Sequence, residues 1–211
     1  MMKELIQYYT VNGSYVFDQF ARHLLMSVYG VIFAGLIGIP LGFYIARHKK
    51  LATWVMRLAN IIQTIPSLAM LSLVMIVFGL GPNTVVVTIF LYSLLPIISN
   101  TYAGVRQVEA QLLDIAKGMG MTKFQVILKV ELPLAISMII GGIRNALVVA
   151  IGIAAIGTFV GAGGLGEIIT RGISVADGGA IVWAGALPTA LMAVITDIAL
   201  GQLEKKLAHN I

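Results

Sequence analysis

Cysteine is absent from the 211 residues, which excludes disulfides, thiol nucleophiles and cysteine-ligated metals. Charge is scarce too: Asp, Glu, Lys and Arg make up 11% of the chain, against roughly a quarter in an average soluble domain. The three histidines (His23, His48, His209) are too scattered to form a ligand cluster, so no metal site is expected. There is no G-x-x-x-x-G-K-[ST] phosphate loop, no paired carboxylates and no nucleophile–base set. The chain is therefore not expected to be an enzyme, and any ATP hydrolysis belongs to another subunit. What remains is 59% hydrophobic, more apolar surface than a soluble fold could cover with so few polar groups. A bilayer removes that difficulty.

A membrane helix needs about 20 mostly apolar residues, since it rises about 1.5 Å per residue across a core about 30 Å thick. Five such segments can be read, at about 24–46, 56–79, 84–104, 134–158 and 180–203, with a turn at Gly79–Asn83 and a polar loop at 106–132. The fold class is thus all-α and polytopic. Residues 1–19 lack the pattern of a signal peptide and are expected to form a short extracellular helix or lead-in. If the loop at Arg47–Lys50 is cytoplasmic, Arg47, Lys49, Lys50, Arg57, Arg106, Lys117, Lys123, Lys129, Lys205 and Lys206 all face inward. Only Lys3, Arg22 and Arg171 then lie outside, while acidic residues divide evenly. Such a bias confined to Lys and Arg is the positive-inside rule. It puts the N-terminus outside and the C-terminus in the cytoplasm, and it explains the basic net charge without nucleic acid.

In the long loop, Val108, Leu112, Ile115 and Met119 recur at helical spacing. Gly118-Met119-Gly120 interrupts, and Thr122-Lys-Phe-Gln125 has capping-box spacing, so a second helix is expected there with Met121, Phe124, Ile127 and Leu128 on its apolar face. Leu132-Pro133 marks re-entry into the membrane. A helix–Gly–helix elbow suits docking to a soluble partner; a loop lying on lipid headgroups is the alternative.

The elbow resembles the cytoplasmic loop of permeases from ATP-binding-cassette importers, whose pattern is E-A-A, three residues, G, nine residues, I-x-L-P. Here it reads Asp114-Ile115-Ala116, three residues, Gly120, nine residues, Val130-Glu131-Leu132-Pro133. The departures are Asp for Glu, Ile for Ala and Val for Ile, and they bear on the contacts of Asp114. Gln63–Ala69, Tyr92–Tyr102 and Ile156–Gly166 also resemble permeases of the Opu-type importers of glycine betaine, carnitine, choline and related osmolytes, over nearly the whole chain. The resemblance implies an ABC type I importer permease fold (MetI-like) in a bacterial cell membrane. It implies two ATPase subunits docked around Asp114, Ala116, Gly118, Gly120, Met121, Thr122, Phe124, Leu132 and Pro133. It further implies a second permease chain, identical or paralogous, an external substrate-binding protein, and ATP and Mg on the partner subunit only. A permease for amino acids such as methionine, a secondary transporter or channel, and a membrane enzyme are the rival readings.

Other motifs have plainer explanations beside them. Gly161-x-Gly163-x-x-Gly166 matches the dinucleotide fingerprint, but no strand–helix unit surrounds it. A flexible external turn made by Gly161, Gly163, Gly164 and Gly166 is expected instead, as a gate or binding-protein contact. Arg144 lies about 16 Å beyond Pro133 and Asp197 about 12 Å before Lys205, so they sit at similar depth and are expected to pair. Gln63, Pro66, Ser67, Met70, Tyr92 and Asn100 could line a translocation path, with Pro66 and Pro96 freeing carbonyls for a passing cation. Polar side chains in spans also simply hydrogen-bond between helices, and Gly38-x-x-x-Gly42 is a close-packing motif of that kind.

Overall fold

A computed structural model describes residues 2–209 of the chain, with the side chain of His209 outside the described set. The elements are α1 (Met2–Ile45), α2 (Lys49–Thr64), α3 (Ser67–Phe78), α4 (Pro82–Gln107), α5 (Ala110–Gly118), α6 (Lys123–Val126), α7 (Leu132–Ile156), α8 (Leu165–Ile173) and α9 (Gly179–His209). A π-helical turn over Ile127–Glu131 joins α6 to α7, and a 3-10 turn over Gly157–Val160 ends α7. Four helical stretches are long and apolar enough to cross a membrane; α2 and α3 together make a fifth only as a broken span, bent by 99°.

The break falls where proline chemistry puts it. Pro66 has no N–H, and its ring pushes the preceding residue out of the α region; Ile65 accordingly sits at φ −70°, ψ 126°. The span read at about 56–79 is thus a broken pair of helices and not one continuous helix. Gln63 therefore lies on α2 while Ser67 and Met70 lie on α3, so the three do not share one helix face. The short N-terminal helix expected ahead of the first span is present: it runs to a kink at Asn12 (φ −113°, ψ 17°), beyond which the chain continues helically into that span. At 44 residues, α1 would be about 66 Å long if straight, twice the bilayer core.

The core sits where α4 packs between α1 and α7. Ala34, Val85, Ile89, Ile97, Ala146 and Ala150 are fully buried there. Close approach of α1 and α4 is set by small residues: a Cβ on Gly38 would lie 3.0 Å from Ile97 Cγ2, and one on Gly42 would lie 2.6 Å from Thr101 Cβ. A second cluster joins Val16 of α1 to Ile151, Leu165, Ile168, Ala184 and Met192. The two ends of the bundle are distinct. One carries the α1–α2 turn and the α5–α6 elbow, stapled by an ion pair between Arg47 and Glu131. At the other, the Gly81 N–H donates to Val160 O at 2.7 Å, linking the α3–α4 turn to the end of α7.

The small-residue seam predicts that Gly42→Ala costs about 1–3 kcal/mol by overpacking, lowering the denaturant midpoint of the detergent-solubilised protein. Gly35→Ala, whose Cβ would meet only Ile39 Cδ1 at 3.9 Å, does not lower that midpoint and raises it by as much as the better helix propensity of alanine allows, up to about 1 kcal/mol.

Candidate functional site

The elbow is built from two local rules. α5 ends in a Schellman arrangement: the Gly120 N–H donates to Lys117 O at 2.9 Å and the Met121 N–H to Ala116 O at 3.2 Å. This requires the left-handed backbone found at Gly120 (φ +77°), which glycine adopts without penalty. Thr122 then caps α6 reciprocally, with Gln125 N–H donating to Thr122 Oγ1 at 3.3 Å and Thr122 N–H to Gln125 Oε1 at 2.8 Å. Beyond it α7 begins at Leu132 with Pro133 in its first turn, the place expected for it, but without a break in the helix. Pro133 offers no N–H to the carbonyl four residues back, and the register widens into the π turn just before it, so α6 runs into α7 as one continuous rod.

Ala116 and Val126 are buried in the elbow, whereas Met119 and Phe124 are 73% and 68% exposed. Leu112, Ile115 and Leu128 are exposed too, and Met121 is half-buried. The apolar stripe read from the sequence is therefore open rather than packed within the chain. Asp114 is exposed and pairs with Lys117 at 3.1 Å, and Gly118 has open space around it. Glu131, which the sequence reading did not single out, is buried and held by Arg47. Its signal was its place one residue before Leu132-Pro133, at the level where the first span meets Arg47.

The residues assigned to a translocation path have another relation. A proline inside a helix leaves the carbonyl four residues earlier without its N–H partner. For Pro96 that carbonyl belongs to Tyr92, and it accepts from Gln63 Nε2 at 2.9 Å. In return the Tyr92 hydroxyl donates to Ile65 O, at the break made by Pro66. The two proline lesions thus repair one another across α2 and α4. Pro188 repeats the arrangement: Ala184 O accepts from the Tyr9 hydroxyl at 3.1 Å. Asn100 turns back on Pro96 O at 2.8 Å. Ser67 is partly exposed and Met70 is buried in the α1–α4–α7 core. The carbonyl that Pro96 leaves without a backbone donor, Tyr92 O, and the carbonyl of Ile65 beside Pro66 both accept side-chain hydrogen bonds.

Arg144 and Asp197 meet in a bidentate pair, Nε to Oδ1 at 2.6 Å and Nη2 to Oδ2 at 3.0 Å. Glu204 joins at 3.2 Å from Nη1. Sequence reasoning did not single out Glu204. Its position seven residues after Asp197, on the same face of α9, was the available signal. The fork of the guanidinium fits two carboxylates at once and ties α7 to α9.

The glycine-rich segment is not the open, flexible turn expected. Ala162, Gly163, Gly164, Leu165 and Gly166 are buried, and α8 follows directly. Gly164 N–H donates to Gln19 Oε1 at 2.7 Å, and His23 Nε2 lies 2.9 Å from Ile151 O. A Cβ on Gly166 would lie 1.8 Å from Ala155 O, so only glycine fits there. Gly161 alone of the four is exposed. The sequence missed this because Gln19 and His23 sit in a stretch without apolar periodicity, 145 residues from Gly164 in the case of the hydrogen bond.

The repair of Pro96 yields a sharp expectation. Gln63→Leu should cost about 1 kcal/mol, the scale of an interhelical hydrogen bond in a bilayer. In a Pro96→Ala background, where residue 96 can donate to Tyr92 O itself, the same substitution should cost close to nothing. A double-mutant cycle on unfolding free energies measures the difference.

A family model described as a binding-protein-dependent transport system inner membrane component matches residues 38–209. The carnitine transport permease protein OpuCD of Listeria monocytogenes serotype 1/2a (strain 10403S) is 63% identical over 206 residues, covering 98% of this chain and 92% of that protein. The glycine betaine/carnitine/choline transport system permease protein OpuCD of Bacillus subtilis (strain 168) is 60% identical, covering 99% and 91%. Among solved structures, the inward-facing MetNI methionine ABC transporter has a similar fold, with a TM-score of 0.79 and 22% identity over 91% of this chain and 95% of that one. The all-helical bundle, the elbow and the match over 38–209 together place the chain in the family of binding-protein-dependent transport system inner membrane components.

Proposed function

We propose that this chain is the membrane-spanning subunit of an ATP-driven importer of quaternary-amine osmolytes, the class to which carnitine, choline and glycine betaine belong. The relatives named above carry those substrates in their own names and match almost end to end, which supports the cargo class. In this reading two permease chains, identical or paralogous, form the path and an external binding protein delivers the cargo. Two ATPase subunits, which alone hold ATP and Mg, drive the cycle. The chain lies in a bacterial cell membrane with its N-terminus outside and C-terminus in the cytoplasm, as its Lys and Arg distribution indicates.

One observation carries the docking proposal: Met119 and Phe124 stand exposed on a short, doubly capped elbow. Exposed apolar side chains beside a rigid turn are what a helix-in-groove contact needs. Because α6 continues into α7, displacement of the elbow moves α7 with it. Arg47–Glu131 then carries the motion to α1, and Arg144 with Asp197 and Glu204 carries it to α9. Such linked helices convert ATPase closure into alternating access by rigid-body tilt. The buried segment Ala162–Gly166 braces the external end, with Gly161 and the exposed face of α8 available to the binding protein.

Gly120→Arg forces a side chain into the left-handed region and breaks the elbow. The variant should insert normally yet lose co-purifying ATPase, and ATP-dependent uptake of labelled carnitine, choline or glycine betaine in proteoliposomes should fall about tenfold or more, the equivalent of roughly 1.4 kcal/mol of docking energy. If the chain moves these solutes without any ATPase, the proposal is wrong.

A further inference from the structure

A cavity of about 960 Å³ lies between the elbow and the α1–α2 turn. Arg47, Lys49, Arg106, Lys117 and Lys123 line it, with Glu131 as its one carboxylate. Glu131 is committed to Arg47, and Lys117 to Asp114. Among the described residues, Lys49, Arg106 and Lys123 have no carboxylate within ion-pair distance. The remaining wall is apolar, from Val105, Leu113 and Met121 among others. Its charge and its shape both suit an amphipathic anion.

We infer that this cavity binds the phosphate headgroup of an anionic phospholipid from the cytoplasmic leaflet. Depth is the first argument. Arg47 follows directly on the buried Ile45 and Ala46, with Lys49 two residues further on, and Arg106 follows the buried Val105, so these cations stand where apolar span gives way to headgroups. Basic pockets between helices at that level are the setting in which anionic headgroups are held. The second argument separates lipid from protein. Ala110, Leu113 and Lys117 line the cavity from one face of α5, whereas Leu112, Ile115 and Met119 are exposed on another. The elbow thus has an outer apolar face, free for a protein partner, and an inner cationic face over a hollow of ligand size.

The test uses the full chain purified in neutral detergent, with lipid retention read by native mass spectrometry. Phosphatidylglycerol, phosphatidylcholine and inorganic phosphate are added separately. Wild type should retain phosphatidylglycerol in preference to phosphatidylcholine. Lys49→Gln, Arg106→Gln and Lys123→Gln should each weaken retention about fivefold, given the usual contribution of one cation near an anionic surface. Lys205→Gln/Lys206→Gln removes cytoplasmic charge elsewhere and should change nothing. The proposal is overturned if both lipids bind equally or if the control variant loses lipid as the cavity variants do. It is also overturned if the three cavity variants keep wild-type retention. Displacement of phosphatidylglycerol by millimolar inorganic phosphate, with no lipid preference left, would assign the cavity to a free anion and overturn the lipid source. The Lys123 variant guards against misfolding, since an exposed side chain is replaced there.

Discussion

A peptide carbonyl without a donor is tolerable in water and costly in hydrocarbon, and this chain places prolines inside helices that cross the bilayer. The structure answers with side chains borrowed from neighbouring helices. Gln63 and Tyr92 exchange donors across the lesions made by Pro96 and Pro66, and Tyr9 serves the carbonyl released by Pro188. Each repair fixes a helix pair in register, so Pro66, Pro96 and Pro188 mark points at which the bundle is cross-linked. The 99° break between α2 and α3 is stable for the same reason.

Charge is used as sparingly as backbone polarity. Arg144 engages Asp197 and Glu204 between α7 and α9, and Arg47 engages Glu131 where the elbow meets α1. These ties and the continuous α6–α7 rod leave few ways for the elbow end to move except as a unit. That suits a proposed role in which force arrives at Met119 and Phe124 and must reach distant helices with little loss. The opposite end is braced differently, by backbone contacts that only glycine permits, as at Gly166 against Ala155.

Much of this was legible in the residues. The helical class, the approximate positions of the apolar segments, the capping box at Thr122 and the turn at Gly120 follow from local rules that depend on a few adjacent residues. Arg144 and Asp197 could be matched because depth along a helix can be counted from either side of a membrane. What escaped depends on direction or on distant partners. Pro66 could be read as a kink, but its magnitude depends on Tyr92 capping Ile65 across the gap. Glu204 looked like part of a terminal charged run because hydropathy does not report which face a residue occupies. α8 was read as part of a loop: it has only nine residues, too few for a span. Gln19 and His23 gave no hint that the glycine segment would fold onto them.

The account rests on the elbow and the glycine segment lying on opposite sides of the membrane, with the elbow in the cytoplasm. The lack of native cysteine makes this directly measurable by single-cysteine labelling. Leu80→Cys and Phe159→Cys occupy exposed positions at one end, and Met119→Cys an exposed position at the other. In intact cells a membrane-impermeant maleimide should label residues 80 and 159 and leave residue 119 unmodified until the membrane is permeabilised. Labelling of residue 119 from outside, or of all three from the same side, would contradict the account.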